Sequence, residues 1–560
     1  MSVTNLWLDG VMWCLLFIGL FLRFAKGVEL AVQLEPGTHP LSWAERNHVE
    51  LVRALSFLPD LYLFETSHEA RVRSLRNAAD VVWLEPQTLR PKRWPRDIPD
   101  PLYAMQWSIH GHPFAVEVDK VGNLTGRGVV IAIVDDGLQH THPEIRANYD
   151  GAHSYDFNDG DADPAPVSPH DGHGTAAAGV ASAVANNGHC GRGVAPGARL
   201  VGLRLIADGV SDATEAEALT HEGLGHVDVY SSSWGPLDDG QTWEGPGYLT
   251  QSALEAYVGA RRGRLGKASV HVWASGNGAL KGDSCAYDGY ASSPWVFAIG
   301  ALDHTGRAAN YSEGCSALVA VAPSSGAGRG ITTADLVGEA GYTDGECTAT
   351  FGGTSAATPL AAGLIALLLE AQPLLTWRDL LYVIARGSLQ VDLDHGDWNV
   401  NAAGYHHSHR YGFGALHAPS LLRALAAHTL LANRTATVWR SGQRSLQDQW
   451  VRGTYNLTVN VSGGANVPAV VERVSLQLSL SSGNRGAIRV NLTSPEGTIS
   501  VLAPGRPRDD NGFWPPGWLF HSVRHLGERR VRGDWLVTVH NADPQSSTHF
   551  FGYELTIMGA

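Results

Sequence analysis

Residues 129–137 read VVIAIVDDG: six consecutive apolar residues that run into two aspartates and a glycine. An apolar run without polar alternation is a strand buried on both faces, the kind that sits inside a parallel sheet covered by helices. Similar runs follow at 229–233 (VYSSS), 270–275 (VHVWAS) and 296–301 (VFAIGA), separated by helix-like stretches such as 175–185 (TAAAGVASAVA) and the 13-residue 358–370 (TPLAAGLIALLLE). Strands alternating with helices predict an α/β fold with a parallel sheet. Its carboxyl edge, where Asp135 emerges, is where open α/β folds build their sites.

Working outward, the text changes on both sides of this block. Residues 28–93 mix apolar and charged positions and close on Arg90-Pro91-Lys92-Arg93, followed by Pro95, Pro99 and Pro101. That reads as a small domain and a linker, with the α/β block running from 94 to 430. From 431 to 560 come short alternating segments (YNLTVNV, VSLQLSL, IRVNLT, DWLVTVH, YELTIM) between Gly, Pro and Asn turns, the signature of an all-β sandwich or jelly roll. Three units suit 560 residues, because single cores stop growing near ~250–300 residues.

Composition narrows the function. With 44% hydrophobic and 17% charged residues the chain can bury a large core, which excludes disorder. A net charge of −14 argues against a nucleic-acid partner and favours a cationic one. The twelve residues Val11–Leu22 are too short to cross a ~30 Å hydrocarbon core as a helix but suit a signal peptide, so 1–27 is read as a secretion signal. An N-terminal anchor is the alternative. No later stretch predicts a stable membrane span, and a soluble monomer is expected. Without Cys14 the cysteines are Cys190, Cys285, Cys315 and Cys347, which an oxidising compartment would join into two disulfides in any of three connectivities. Sequons at Asn123, Asn310, Asn433, Asn456, Asn460 and Asn491 agree with secretion.

Three contexts gain meaning together. Asp135 ends a buried strand, His173-Gly174-Thr175 opens a small-residue helix, and Gly352-Gly353-Thr354-Ser355 places a serine at the mouth of an apolar helix. Serine is a weak nucleophile until a base takes its proton and a carboxylate orients that base. Asp, His and Ser in this chain order match the order found in subtilisin. Asn277, in Gly276-Asn277-Gly278 after the strand VHVWAS, can offer an N–H to a tetrahedral oxyanion.

On these residues the chain resembles the subtilisin-like serine proteases, and within them the kexin/furin-type proprotein convertases. Further marks are Asp135-Asp136-Gly137, Ser231-Ser232-Ser233-Trp234-Gly235-Pro236, Val272-Trp273-Ala274-Ser275-Gly276-Asn277-Gly278 and a β-rich tail like the convertase P domain. The resemblance implies a triad of Asp135, His173 and Ser355 with Asn277 in the oxyanion hole. It implies that residues 28–93 are an α+β propeptide that inhibits the enzyme until cut after Arg93, with Arg90 and Lys92 in the recognised string. It also implies disulfides Cys190–Cys347 and Cys285–Cys315, secretory-pathway residence, and precursor proteins with basic cleavage sites as partners.

A protease that cuts after basic residues must replace the water around Lys and Arg with carboxylates. By resemblance Asp238 and Asp288 form the pocket for the residue before the cut, Asp136 and Asp171 serve its neighbour, and Glu215, Glu244 and Tyr290 serve the fourth residue upstream. The chain also departs from the pattern: Gly209 and Leu237 stand where furin-like enzymes have Glu, His170 where they have Asp, and Glu244 replaces Asp. Looser outer subsites are expected. A subtilisin of broader specificity and a catalytically silent secretory binding partner are the competing readings.

Asp156, Asp159, Asp161 and Asp163 crowd four carboxylates into eight residues. Unpaired they would repel one another, and such hard oxygen ligands suit Ca2+. The resemblance assigns Asp156, Asp161 and Asp163 to one calcium site. A second is Asp100 and Glu144 with the loop residues Val184, Asn187, His189 and Gly191. A third is Asp238, Asp283 and Glu313.

Overall fold

The computed structural model describes residues 28–67, 71–87, 99–221, 226–259, 269–338, 341–431, 436–442, 444–463 and 466–560. The signal segment and the string Arg90, Lys92 and Arg93 lie outside the described residues. The chain divides into two compact units between Arg96 and Asp97.

In the first unit β1 (Val28–Leu34), β2 (Glu50–Ala54), β3 (Leu61–Thr66) and β4 (Val81–Pro86) form a sheet of order β2-β3-β1-β4 with antiparallel pairing, accompanied by α1 (Pro40–Asn47) and α2 (Arg71–Leu75). Leu30, Val32 and Leu34 alternate along β1 into a core with Trp43 and Phe64, whose rings are 4.8 Å apart. The Trp43 indole satisfies its buried N–H on Asp80 Oδ1 at 3.1 Å. This is an α+β fold.

The second unit is built on seven parallel strands: β5 (Val130–Asp135), β6 (Tyr155–Asp156), β7 (Arg199–Arg204), β8 (Val229–Ser232), β9 (Val270–Ala274), β10 (Val296–Leu302) and β11 (Leu318–Pro323), in the order β11-β10-β9-β8-β5-β7-β6. The pleat explains why β5 is apolar up to Asp135. Ile131 and Ile133 point into the core that holds α3 (His173–Ser182) and α6 (Thr354–Ala371), while Val130, Ala132 and Val134 point into the opposite core, with Leu219 of α4 (Asp212–Leu219) and Leu254 of α5 (Tyr248–Leu254). Helix α6 is long and apolar enough to cross a membrane, but 83% of that window is buried inside the fold, which makes it the core helix. It begins at Thr354, four residues before the apolar run that predicts it. An antiparallel hairpin, β12 (Ile331–Ala334) with β13 (Cys347–Phe351), leads into it.

Beyond α7 (Trp377–Gly387) and α8 (Ala418–Ala426) the chain forms two antiparallel sheets. One orders strands Thr437–Arg440, Thr548–Gly559, Val471–Ser482 and Leu519–Ser522, with Arg444–Val451 also paired to Thr548–Gly559; the other orders Thr454–Val461, Gly533–Asn541, Ile488–Thr493 and Ile499–Ala503. Inward residues of both, among them Leu476, Leu478, Val490, Trp535 and Ile557, share one core. Position 430 therefore marks a change of architecture but not a separate compact unit. Arg378 of α7 and Glu472 of the sandwich form a fully buried pair with two parallel 2.6 Å bonds. Trp243 of the α/β part packs against Trp514 and Trp518 at 4.8 and 5.1 Å.

Candidate active site

Asp135, the last residue of β5, is buried, and its Oδ1 lies 2.7 Å from His173 Nδ1 at the start of α3. With an ionised carboxylate there, Nδ1 carries the hydrogen and Nε2 is left to act as a base. Gly174 is required for this approach, since a Cβ would lie 2.2 Å from the Gly137 carbonyl and 2.8 Å from Asp135 Cβ. Phe351 at the end of β13 sets its ring edge-on to His173 at 5.4 Å, and four residues later comes Ser355, the second residue of α6.

Pro359 explains how the serine is tied down. Lacking an N–H, it cannot bond the carbonyl one turn earlier, which is that of Ser355. The Ser233 hydroxyl takes that carbonyl at 3.2 Å, and Ser355 Oγ donates back to the Ser233 carbonyl at 3.4 Å. The segment after β8 is thereby locked to the nucleophile. Asn277 Oδ1 accepts from Thr354 N at 2.8 Å and Thr354 Oγ1 at 3.1 Å, which fixes the amide and leaves its NH2 for the exposed cleft.

The electrostatics are those of an acidic cleft. Burial pushes the His173 pKa down, but the Asp135 carboxylate, and more weakly Asp136, raise it to about 9. Burial and the Asp135 charge push Asp136 up to about 7, although its two oxygens accept the Gly174 and His173 amides at 2.8 and 3.1 Å. Asp136 thus caps α3 as well as facing the triad. Burial likewise pushes Asp288 up to about 8, with Asp238 and Asp283 adding to it. Its Oδ1 is held by the Tyr290 and Ala291 amides, whereas Oδ2 lies 3.0 Å from where a Cβ on Gly235 would stand. Glycine at 235 keeps that oxygen reachable.

The remaining pocket candidates fall into two groups. Glu215 receives the Tyr290 hydroxyl at 2.9 to 3.0 Å and lies near the exposed Glu244, so the structure gathers these three. Tyr290 is fixed by stacking on Trp273 at 5.2 Å. Asp171, by contrast, lies 3.7 Å from Arg204 and caps Ser168 N, so its charge is already answered within the chain.

The same arginine corrects one expectation. The carboxylates of 156–163 are not left unpaired: Arg204 Nη1 bonds Asp156 at 2.8 Å and Asp159 at 3.0 Å, and His140 meets Asp163 at 3.0 Å. Asp161 caps Asp163 N. Mutual repulsion therefore no longer argues for a metal there, although Asn158 Oδ1 is buried without a partner.

The other two calcium sets fit the ion better. Glu144 is fully buried with Oε1 unpartnered, and burial together with the nearby Asp100 pushes its pKa up to about 8. Among the described residues no hydrogen bond reaches the carbonyls of Val184, His189 or Gly191. Asp100 anchors the same loop through the amides of Asn186, Asn187 and Gly188. Asn187 turns its NH2 to Glu144 Oε2 at 3.3 Å, so as a ligand it would have to present Oδ1. In the third set, burial and the charges of Asp283 and Asp238 push Glu313 well above the usual carboxylate range. Gly276 makes room for it, a Cβ there falling 2.6 Å from Glu313 Oε1. Asp283 is raised by burial, and its Oδ1 is 3.2 Å from Arg506 of the sandwich.

Ser233, Arg204 and Arg506 are the functional neighbours that the spacing of the sequence does not reveal. The disulfides are Cys190–Cys347 and Cys285–Cys315.

Residues 126–414 match the Subtilase family and residues 471–557 the Proprotein convertase P-domain. The chain is 41% identical over 495 residues to proprotein convertase subtilisin/kexin type 4 of Rattus norvegicus, covering 85% of this chain and 70% of that protein. It is 38% identical to kexin of Saccharomyces cerevisiae (82% and 56% covered) and 37% identical to furin-1 of Xenopus laevis (85% and 61% covered). Among solved structures, a serine protease of Aeromonas sobria aligns with TM-score 0.71 at 22% identity over 83% of this chain and 96% of that one, a likeness of fold.

Proposed function

Since the chain belongs to the subtilase family and to its kexin/furin-type proprotein convertases, and so is a subtilisin-like serine endopeptidase of precursor processing, we propose that it cuts after paired or clustered basic residues. The observation that carries this is Asp288, a carboxyl pushed up to about 8 with one oxygen facing Gly235. A substrate guanidinium would supply the charge that its surroundings lack.

Ser355 Oγ attacks the scissile carbonyl as His173 Nε2 takes its proton, Asp135 holds the imidazolium, and the Asn277 amide with the α6 N-terminus receives the oxyanion. Because Asp136 adds, after Asp135, to the raising of His173, a basic substrate residue beside Asp136 would offset that part and lower the His173 pKa. Substrate charge then contributes to activation as well as to binding.

The reading includes Ca2+ dependence, with Asp100, Glu144 and the 184–191 loop, and Asp238, Asp283 and Glu313, as the favoured sites. When bound, the ion would supply positive charge beside Glu144, Asp283 and Glu313, whose carboxyls are raised without it. It also includes a secretory-pathway setting, which the two disulfides favour, and a propeptide of residues 28–93 removed after Arg93 by the enzyme itself. The separate compactness of the first unit supports this division.

The test is a peptide panel that differs only at the two residues before the cut, assayed with and without EGTA. Asp288→Asn should reduce kcat/KM for Arg substrates at least tenfold more than for a neutral comparator. Equal losses on both would sink the pocket assignment. Ser355→Ala, expressed in cells lacking other convertases, should accumulate uncut precursor; an N-terminus at Trp94 would show that another protease removes the propeptide.

A further inference from the structure

At the edge of the parallel sheet opposite the triad, Asp150, His153 and His226 bring three metal-ligating atoms within 4.8 Å of one another. Asp150 follows a parallel bridge between Tyr149 and Leu200, its amide bonds the Leu200 carbonyl at 2.8 Å, and His226 stands three residues before β8. Both partner strands begin here, whereas Asp135 ends β5, so about 15 Å of strand separates this cluster from the catalytic edge.

The chemistry is unlike that of the calcium candidates. Asp150 is buried, with His153 Nδ1 2.9 Å from Oδ1 and His226 Nε2 3.0 Å from Oδ2. The two imidazoles lie face to face, centroids 3.3 Å apart at 15°, with about a third of each side chain exposed. Two nitrogens and one carboxylate oxygen form a borderline-soft donor set, suited to zinc-type ions rather than to Ca2+, which prefers all-oxygen cages. Two ligands on one such ion stand roughly 3.3–4.2 Å apart, given bonds of ~2.0–2.2 Å, so the two nitrogens, at 2.9 and 3.0 Å from the Asp150 oxygens, must draw a few tenths of an ångström away from the carboxylate, and the partly exposed rings must turn out of their stack to aim both lone pairs at the ion. Arg199 Nη2, 3.1 Å from Asp150 Oδ2, is the resident cation, and its side chain is 56% exposed, so it can swing into water when a metal arrives.

We propose that Asp150, His153 and His226 form a binding site for a divalent transition-metal ion of the zinc type, with the fourth position open to water. The ion would tie the residue-150 turn to the entrance of β8. It would stabilise the folded enzyme in proportion to its occupancy. Protons compete for both imidazoles, so occupancy falls as pH drops.

The experiment uses the full, Ca2+-saturated chain titrated with Co2+, followed by visible absorption and then by displacement with Zn2+. One saturable equivalent with the intense bands of four- or five-coordinate cobalt is expected. It should be lost in His153→Ala and in His226→Gln, both checked for folding by near-UV circular dichroism and by unchanged cleavage of a basic peptide. Zn2+ should raise the melting temperature of the wild-type chain and not that of the two variants. Identical cobalt uptake and spectra in all three proteins, or the absence of a saturable band in the wild type, would overturn the site. Either result would leave the cluster as a carboxylate clamped by two histidines and an arginine.

Discussion

Two groups of acids, one contiguous along the chain and one gathered from three distant segments, behave in opposite ways. In 156–163 Arg204 answers Asp156 and Asp159 from within the chain, while Asp163 meets a His140 ring nitrogen and Asp161 accepts a backbone amide. Around Asp238, Asp283 and Glu313, Arg506 meets Asp283 alone and is itself divided with Asp509, and burial with the charges of Asp283 and Asp238 drives Glu313 well above its ordinary range. The lesson is that the need for a metal follows the balance of charges in space. Spacing along the chain brings acids together but does not say which cations cross over from other strands or from the sandwich.

The largest effect should come from removing the in-chain cation. Arg204→Met leaves Asp156 buried without its partner and should cost about 3–5 kcal/mol in urea unfolding. If Ca2+ fully restores that loss, the first region is a metal site after all and the contrast collapses.

A smaller effect separates the sites without a sufficient cation. Glu144, ordinarily near 4.5, is raised to about 8 in the calcium-free fold by burial and Asp100. A carboxyl raised on folding contributes stability that is full below its unfolded value and is lost as pH rises through the folded one. In EGTA, stability should therefore decline between pH 4.5 and about 8, by up to roughly 4 kcal/mol for this group. Glu144→Gln should flatten that decline, and thermal melts across the range check it.

Glu313→Gln removes one of the repelling charges in the second region. It should raise stability in EGTA at pH 8 by about 1–2 kcal/mol while reducing the stabilisation that Ca2+ confers. An unchanged calcium response would remove Glu313 from the ligand set. The smallest effect is expected at the surface, where His140→Ala breaks a partly exposed contact to Asp163 and should change stability by about 0.5 kcal/mol or less.

The fold was legible because its signals are local. The unbroken apolar runs of β5 and β10 betray burial on both faces, and the alternation of the 474–480 segment betrays a strand with one face inward. The proposed triad was legible because Asp135 follows an apolar run, His173 opens a small-residue stretch and Ser355 stands just ahead of an apolar one. Helix α6 shows the limit: its apolar run begins at Thr358, yet the helix starts at Thr354, with Ser233, just past β8 and 122 residues away, taking the carbonyl that Pro359 cannot bond.

What the sequence by itself determined is the α/β block, the β-sandwich after it, the three side chains proposed as the triad and the acidic character of the cleft, because periodicity and residue type act over a few neighbours. Tertiary structure alone decided which acids are neutralised and which are not. Arg204 enters from β7 and Arg506 from the sandwich, and Asp136 divides its oxygens between two helix amides. Electrostatic balance depends on the distances between charges and on how much water has been excluded between them. Neither quantity exists until the strands, the core helix and the sandwich have packed.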